Sequence, residues 1–355
     1  MTLQEVVAAI RPADPAARKQ AEIQWSNVGK PLGSLGLLED MVVRMAGMFG
    51  TADFSIANKA VVPFCADNGV VAEGVTQSGQ EVTAVVAGNM ARRTSSVCRM
   101  AQVAGAQVYP VDIGMAYAVD HPGIAQRCVR RGGTGNFVKE LAMTRAEAEQ
   151  AVLTGVEIAR ELHGQGVNLL AMGEMGIGNT TTSAAVLTVL LGSTPREMTG
   201  RGAGLSDEGL KRKVKAIETA LALHQPDPED AIDILSKVGG FDLAGLCGLA
   251  LGAALCRIPV LLDGLISCAA ALLAVKLCPA AGDYLLASHL SAEPAGWPVL
   301  NALGVKPLVQ AGMRLGEGTG AVAVMPMLDM AMVVYHGDTF DDLQIEAYTP
   351  QAEDF

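Results

Sequence analysis

The stretch KPLVQAGMRLGEGTGAVA, residues 306–323, joins an apolar run to a cluster of glycines that contains a single carboxylate, Glu317. Apolar residues resume after the glycines, which predicts a strand, a tight turn and the start of a helix. Open α/β sheets bind ligands at such turns, outside the carboxyl ends of the strands. The amino end of a helix supplies free N–H groups there. Glu317 is therefore either an acid/base group or a helix cap.

The same pattern occurs earlier in the chain, in GVNLLAMGEMGIGNTTTSAAVLTVLLG at 166–192, with Glu174 at the turn. Each turn places one glutamate at the carboxyl end of a predicted strand, followed by a nest of backbone N–H groups. If the two strands lie close together, both carboxylates and two anion sites face one crevice. The alternative is that the glycines serve tight packing and that each glutamate caps its helix.

Short apolar segments alternate with helix-length segments through the middle of the chain, and KAVVPFCADNG at 59–69 is one strand that ends in an acid and a glycine. This alternation predicts an α/β fold, with a parallel sheet of about five or six strands and helices on both faces, as in Rossmann-like proteins. We assign residues 59–330 to this catalytic domain. We expect the helical segment 1–58 to pack with the C-terminal end, 331–355, as a small domain.

Several helix starts carry capping signals. Asp14 precedes Pro15, and Thr144 with Glu147 forms a capping box. Ser78 is a candidate amino cap for a helix over 80–90.

Composition limits the classes of function. The 355 residues carry a net charge of −11 without a large basic cluster, which argues against nucleic acid as a partner. The most apolar region, 243–281, is interrupted by charged residues and Pro259, so its apolar runs are shorter than the ~18 residues that a membrane span needs. We read it as a buried helix–strand–helix unit. Seven cysteines without a C-x-x-C motif and the lack of an apolar leader predict a cytoplasmic protein.

The motifs exclude several chemistries. The sequence has no triphosphate-binding P-loop, no H-E-x-x-H or Cys/His cluster for a metal, and no G-x-S-x-G nucleophile elbow. The helix start after Gly178, with Asn179 and Thr180, suits a phosphate, and Lys213 could add a positive charge. The residues alone therefore indicate a carboxylate acid/base that acts on a small molecule with one phosphate.

Seven motifs occur together in the order GSLG, CADNGV, GEMGIGNTTT, SKVGGFDLAGL, LDG, SHLSAE and MRLGEGTGA. In this combination the chain resembles the nicotinate-nucleotide–dimethylbenzimidazole phosphoribosyltransferases, which make the lower-ligand nucleotide of cobalamin. The resemblance implies transfer of the 5-phosphoribosyl group of nicotinate mononucleotide to 5,6-dimethylbenzimidazole, giving α-ribazole 5′-phosphate and nicotinate. It also implies a homodimer that works without a metal or other cofactor.

The resemblance implies roles for individual residues. Glu317 is the catalytic base, and Glu174 is a second carboxylate that orients the base or stabilises positive charge at C1′. The phosphate would be held by Gly176, Ile177, Gly178, Asn179, Thr180, Lys213 and Ser291. The pocket for the aromatic base would include Ser78, Val86, Met175 and Leu315. Further substrate contacts are expected from Asp242, Asp263, Gly316 and Gly318.

Two departures from the family pattern concern the base pocket. The segment after CADNGV reads TQSGQEVT, with Ser78-Gly79 where Ser-Pro or Tyr-Pro is expected, and Val86 stands where glutamine can occur. The choice among dimethylbenzimidazole, benzimidazole, adenine and phenolic bases therefore stays open. Two other functions also stay open: a nucleotide or phosphosugar hydrolase with the same carboxylates, and a non-catalytic nucleotide-binding regulator.

Overall fold

A computed structural model describes residues 1–348 and shows one sheet of seven strands. The strands are β1 (Lys59–Ala66), β2 (Ala106–Val108), β3 (Val111–Gly114), β4 (Ala125–Gln126), β5 (Leu169–Met175), β6 (Val260–Leu262) and β7 (Leu285–Ala287). Their order across the sheet is β4-β3-β1-β5-β6-β7, with β2 paired to β1, and every pair is parallel. The predicted α/β class and parallel sheet are confirmed.

Helices connect the strands and cover the sheet. They are α1 (Leu3–Ala9), α2 (Pro15–Asn27), α3 (Leu37–Phe49), α4 (Glu81–Ala91), α5 (Ser96–Ala104), α6 (Arg145–Gly164), α7 (Asn179–Leu190), α8 (Pro195–Met198), α9 (Asp207–His224), α10 (Ala231–Val238), α11 (Phe241–Cys256), α12 (Leu265–Leu277), α13 (Gly296–Leu303) and α14 (Thr319–Tyr335). Every residue of β1 is buried, as expected for a strand covered by helices on both faces.

Two of the predicted capping signals are confirmed. Asp14 accepts hydrogen bonds at the start of α2, and Thr144 and Glu147 form the capping box of α6. The prediction that Ser78 is the amino cap of the following helix is wrong. Helix α4 begins at Glu81 after Gln80, without a side-chain cap, and the Ser78 carbonyl accepts a hydrogen bond from the Thr76 hydroxyl.

The prediction of a strand before the second glycine turn is also wrong. Residues 306–316 make only an isolated bridge, between Val309 and His289, beyond the edge strand β7. Pro307 has no N–H to donate to a ladder, and Gly312 has a left-handed φ of 64°. These two residues interrupt an extended ladder on this edge. The helix predicted after the turn does form, as α14.

The two ends of the described chain lie together. The rings of Trp25 and Tyr335 are 5.0 Å apart, and an antiparallel bridge joins Val28 to Thr339. The division into a small helical domain and a catalytic domain remains a prediction, and the last residues of its C-terminal segment, 349–355, lie outside the described residues.

The apolar region 243–281 contains most of α11, then β6 and α12, which is the predicted helix–strand–helix unit. Between residues 1 and 348, no helix is both long and apolar enough to cross a membrane.

Candidate active site

A cavity of about 380 Å³ opens where β5 and β6 end. Its walls come from the turn between β5 and α7, the segment after β6, the loop before α9 and the turn that precedes α14. This position, outside the carboxyl ends of parallel strands, is the usual ligand site of an open α/β sheet.

The first glycine turn joins β5 directly to α7. Gly178 ends the turn with a φ of 94°, which a glycine adopts without strain. The N–H of Ile177 donates to the Thr83 hydroxyl, whereas the N–H groups of Gly178 and Thr180 have no partner among the described residues. Both residues line the cavity, and two free N–H groups at the start of a helix are the kind of donors that bind an anion.

The second turn holds three consecutive residues in left-handed conformations, with φ values of 89° at Gly316, 61° at Glu317 and 89° at Gly318. A glutamate in this region is uncommon, and such strain persists only where the surroundings enforce it. Asp263 supplies the restraint, because its carboxylate accepts hydrogen bonds from the N–H groups of Gly318, Gly320 and Ala321. The carboxylate thus caps α14 and fixes the turn that carries Glu317.

Glycines let the two turns touch each other. A Cβ atom on Gly173 would lie 2.7 Å from the carbonyl oxygen of Glu317, and one on Gly316 would collide with Oε1 of Glu174. Both glutamates consequently line the same cavity, as the similarity of the two turns in sequence suggested.

Glu174 is held by an amide. Asn179 Nδ2 donates to Glu174 Oε2 and, at 3.1 Å, to Asp242 Oδ2. Burial is the main cause that raises the pKa of Glu174 to about 8, and the negative charge of Asp242 adds to it. Burial likewise raises the pKa of Asp242 to about 6 and that of Asp263 to about 7.

Glu317 is less buried than Glu174 and contacts the amino end of α5. Its Oε2 atom accepts a hydrogen bond from the Val97 N–H at 3.1 Å. Burial raises the pKa of Glu317, and the bond from Val97 acts in the opposite direction. A raised pKa makes this carboxylate a better proton acceptor near neutral pH.

Helix α9 and the loop before it contact the start of α7. Lys213 is 1% exposed, and its Nζ donates to Thr180 Oγ1 at 2.7 Å and to the Gly200 carbonyl. Burial lowers the pKa of Lys213 to about 8, and the charge of Glu293 counteracts this effect. Because Thr180 accepts from Lys213, its own hydroxyl hydrogen is free to point into the cavity.

Most of the residues that the sequence predicted for the site line the cavity. They are Ser78, Val86, Glu174, Met175, Gly176, Ile177, Gly178, Asn179, Thr180, Asp263, Ser291, Leu315, Gly316 and Glu317. The other three, Lys213, Asp242 and Gly318, lie behind its wall. Lys213 is covered by Thr180, and Asp242 is behind Asn179. Gly318 packs on β1 and β5, where a Cβ atom would be 2.6 Å from the Val61 side chain and 3.1 Å from the Met172 carbonyl oxygen.

Sequence reasoning did not assign some residues that the structure brings to the cavity, among them Gly202, His289, Glu293 and Arg314. The Gly202 N–H donates to Glu293 Oε1 at 3.0 Å, so the loop before α9 is fastened across the cavity wall. Two sequence features could have indicated these residues, namely the glycine run GRGAG and the polar motif SHLSAE. In the part of the chain that the structure describes, no cluster of three or more His, Cys, Asp or Glu side chains could hold a metal ion.

A family model described as phosphoribosyltransferase matches residues 10–345. The nicotinate-nucleotide–dimethylbenzimidazole phosphoribosyltransferase of Acetivibrio thermocellus is 49% identical over 326 residues, which are 92% of this chain and 93% of that protein. The enzyme of that name from Escherichia coli is 44% identical over 336 residues, 94% of this chain and 93% of its own length. The crystal structure of CobT from Thermus thermophilus aligns with a TM-score of 0.89 at 41% identity, covering 94% of this chain and 99% of that one. The chain belongs to the nicotinate-nucleotide–dimethylbenzimidazole phosphoribosyltransferase family.

Proposed function

We propose that this protein transfers the 5-phosphoribosyl group of nicotinate mononucleotide to 5,6-dimethylbenzimidazole, which yields α-ribazole 5′-phosphate and nicotinate. One observation supports this function above all others. One cavity is lined by two carboxylates, Glu174 and Glu317, and by a helix start with free N–H groups. The chain that carries this cavity matches the family over residues 10–345.

In the proposed step, a ring nitrogen of the benzimidazole attacks C1′ of the ribose. The bond between C1′ and the pyridinium nitrogen breaks, its electron pair returns to that nitrogen, and nicotinate leaves with an uncharged pyridine ring. Positive charge on the new benzimidazolium makes its other N–H acidic, and Glu317 accepts that proton.

Glu174 faces the reacting centre as the second carboxylate. The pyridinium of the bound mononucleotide brings a positive charge into the cavity, and an opposite charge favours the ionised form of a buried acid. We expect substrate binding to lower the pKa of Glu174 from about 8, so that its carboxylate stabilises the positive charge that develops at C1′.

The phosphate of the mononucleotide is placed at the start of α7. Gly178 and Thr180 offer their N–H groups, and the Thr180 hydroxyl, which accepts from Lys213, offers its hydrogen. In this arrangement Lys213 acts through Thr180 and supplies charge from behind the wall. Ser291 lines the cavity beside Gly264 and completes the proposed grip.

The aromatic base is placed against the apolar side of the cavity, which Val86, Met175 and Leu315 form, with Ser78 at the edge. These side chains present methyl and methylene groups to a flat ring, and this suits a dimethylated benzimidazole better than a polar purine.

The direct test is to mix the protein with nicotinate mononucleotide and dimethylbenzimidazole, in the presence of a chelator, and to measure nicotinate and α-ribazole 5′-phosphate by chromatography. We expect equal amounts of both products and release of nicotinate only when the base is present. Release without the base would identify a hydrolase, and no release would identify a binding protein without this activity. Loss of activity with the chelator would contradict the metal-free mechanism.

Two further properties of the protein in the cell are proposed: the family resemblance implies a homodimer, and the cysteine pattern predicts a cytoplasmic location. Sedimentation velocity at micromolar concentration tests the first, because the chain of 36.7 kDa should sediment at twice its mass. Fractionation of the source cells tests the second.

A further inference from the structure

Asn179 turns its side chain away from the anion site. Its Nδ2 atom donates to two carboxylates, Glu174 Oε2 and Asp242 Oδ2, so both amide hydrogens are committed. Its backbone N–H is also committed, since it donates to the Gly176 carbonyl at 3.0 Å. Asn179 therefore has no N–H left to offer to a phosphate, although its neighbours Gly178 and Thr180 do.

Asp242 is fully buried and does not line the cavity. It stands in the first turn of α11, and its Oδ1 accepts from the Leu243 N–H at 2.9 Å. The positive end of a helix stabilises a carboxylate at this position. Asp242 is thus a fixed anchor that orients the Asn179 amide without reaching a substrate.

The other side of Glu174 is restrained as well, since Oε1 packs against Gly316 in the turn that carries Glu317. The Glu174 carboxylate is therefore confined between an amide on one side and a strained turn on the other. A single orientation of a catalytic carboxylate requires this kind of support from neighbouring residues.

We propose that Asn179 and Asp242 are positioning residues of the transferase site, with the Asn179 amide fixing the Glu174 carboxylate and Asp242 holding that amide in place. The proposal rests on the proposed function for its kinetic consequences. It changes the roles expected from the sequence, in which Asn179 was a phosphate ligand and Asp242 a substrate contact.

The titratable groups around Glu174 come from four segments of the chain. Asp242 on α11, Asp263 after β6 and Glu317 before α14 are acids that raise its pKa. The negative charges of the acids also act on the Cys65 thiol on β1. Burial is the main cause that raises the pKa of this thiol and keeps it protonated. Removing the charge of Asp242 should consequently lower the pKa of Glu174.

The first experiment uses Asn179→Ala and measures kcat and the KM for nicotinate mononucleotide. We expect kcat to fall roughly 100-fold and KM to change less than about threefold, because the variant loses orientation and keeps the phosphate site. A raised KM with an unchanged kcat would overturn the proposal and restore the phosphate role.

The second experiment uses the isosteric Asp242→Asn, which keeps an acceptor for the Leu243 N–H. If Glu174 acts as a carboxylate, kcat/KM rises with pH as Glu174 ionises, and this limb should move about one pH unit lower in the variant. Asp230→Asn is the control, because Asp230 caps α10 and does not line the cavity. Superimposable profiles for Asp242→Asn and the parent would overturn the proposal.

A third measurement does not depend on turnover. Infrared titration of the ligand-free protein follows the protonated carboxyl band, which Glu174→Gln assigns to Glu174 by its loss. We expect Asp242→Asn to lower the midpoint of that band, and an unchanged midpoint would contradict the positioning role. If the parent released no nicotinate while this midpoint still moved, the proposed function alone would have failed.

Discussion

Oε2 of Glu317 lies 3.1 Å from the backbone nitrogen of Val97, in the first turn of α5. The donor N–H orients the carboxylate, and Oε1 has no hydrogen-bond partner among the described residues. One oxygen is therefore used to hold the side chain, and the other is available to accept a proton. The positive end of α5 also keeps the ionised form accessible despite burial.

We predict that Glu317→Gln binds both substrates but loses most of its turnover, with kcat lower by about 10²- to 10⁴-fold. The amide cannot accept a proton from the benzimidazolium, although its oxygen can still accept from the Val97 N–H. Stopped chromatographic assays and equilibrium binding of the base give the two quantities.

The matched control for Glu317→Gln is Glu218→Gln, which alters an exposed side chain on α9 that is paired with Lys215. Its kcat should equal that of the parent protein. Because burial raises the pKa of Glu317, parent activity should decline on acidification at a pH above the ordinary glutamate range. A near-parental kcat in Glu317→Gln would remove this residue as the base.

Lys213 and Thr180 should act as one unit in phosphate binding. We predict that Lys213→Ala and Thr180→Val each raise the KM for nicotinate mononucleotide about tenfold. In the double variant, the increase in KM should be much smaller than the product of the two single increases. The shared effect follows from the 2.7 Å hydrogen bond between Nζ and Oγ1. Lys215→Ala, whose side chain is 77% exposed, should leave this KM unchanged.

If the increase in KM in the double variant equalled the product of the single increases, Lys213 would contact the phosphate directly. An unchanged KM in Lys213→Ala would remove the lysine from the site. Initial rates over a range of mononucleotide concentrations distinguish these outcomes.

Val86 is predicted to contact the methyl groups of dimethylbenzimidazole. Val86→Ala should raise the KM for this base about fivefold, since two methyl groups leave a buried contact, and should affect unsubstituted benzimidazole less. Val85 on the same helix is 57% exposed and does not line the cavity, so Val85→Ala serves as the control. Equal effects on the two bases would place the methyl groups elsewhere.

Glu174 should lower the stability of the protein at alkaline pH. Its pKa rises from 4.5 to about 8 on folding, so the folded state binds more protons than the unfolded state between these values. Stability therefore falls as pH increases through this window. We predict that Glu174→Gln raises Tm by roughly 3 °C at pH 9 and by almost nothing at pH 5, as measured by calorimetry. A constant difference in Tm across this range would contradict the assignment.

Local patterns in the sequence were sufficient for much of the fold. The continuous apolar runs of β1 and β5, the capping box at Thr144 and the helix after Gly318 depend on neighbouring residues alone. The strand predicted over 306–316 failed because pairing depends on what the adjacent edge offers, and Pro307 cannot donate there. The cap assigned to Ser78 failed because two further residues precede α4.

For the site, local sequence was enough to show which turns carry carboxylates and free N–H groups, because glycines and helix starts are local features. What those groups face depends on the folded chain as a whole. The contact between Glu174 and Gly316, the inward turn of the Asn179 amide toward Asp242, and the position of Lys213 behind Thr180 all join residues that are remote in the chain. Such contacts follow from the order of strands in the sheet and from the packing of helices on it, which no local pattern specifies.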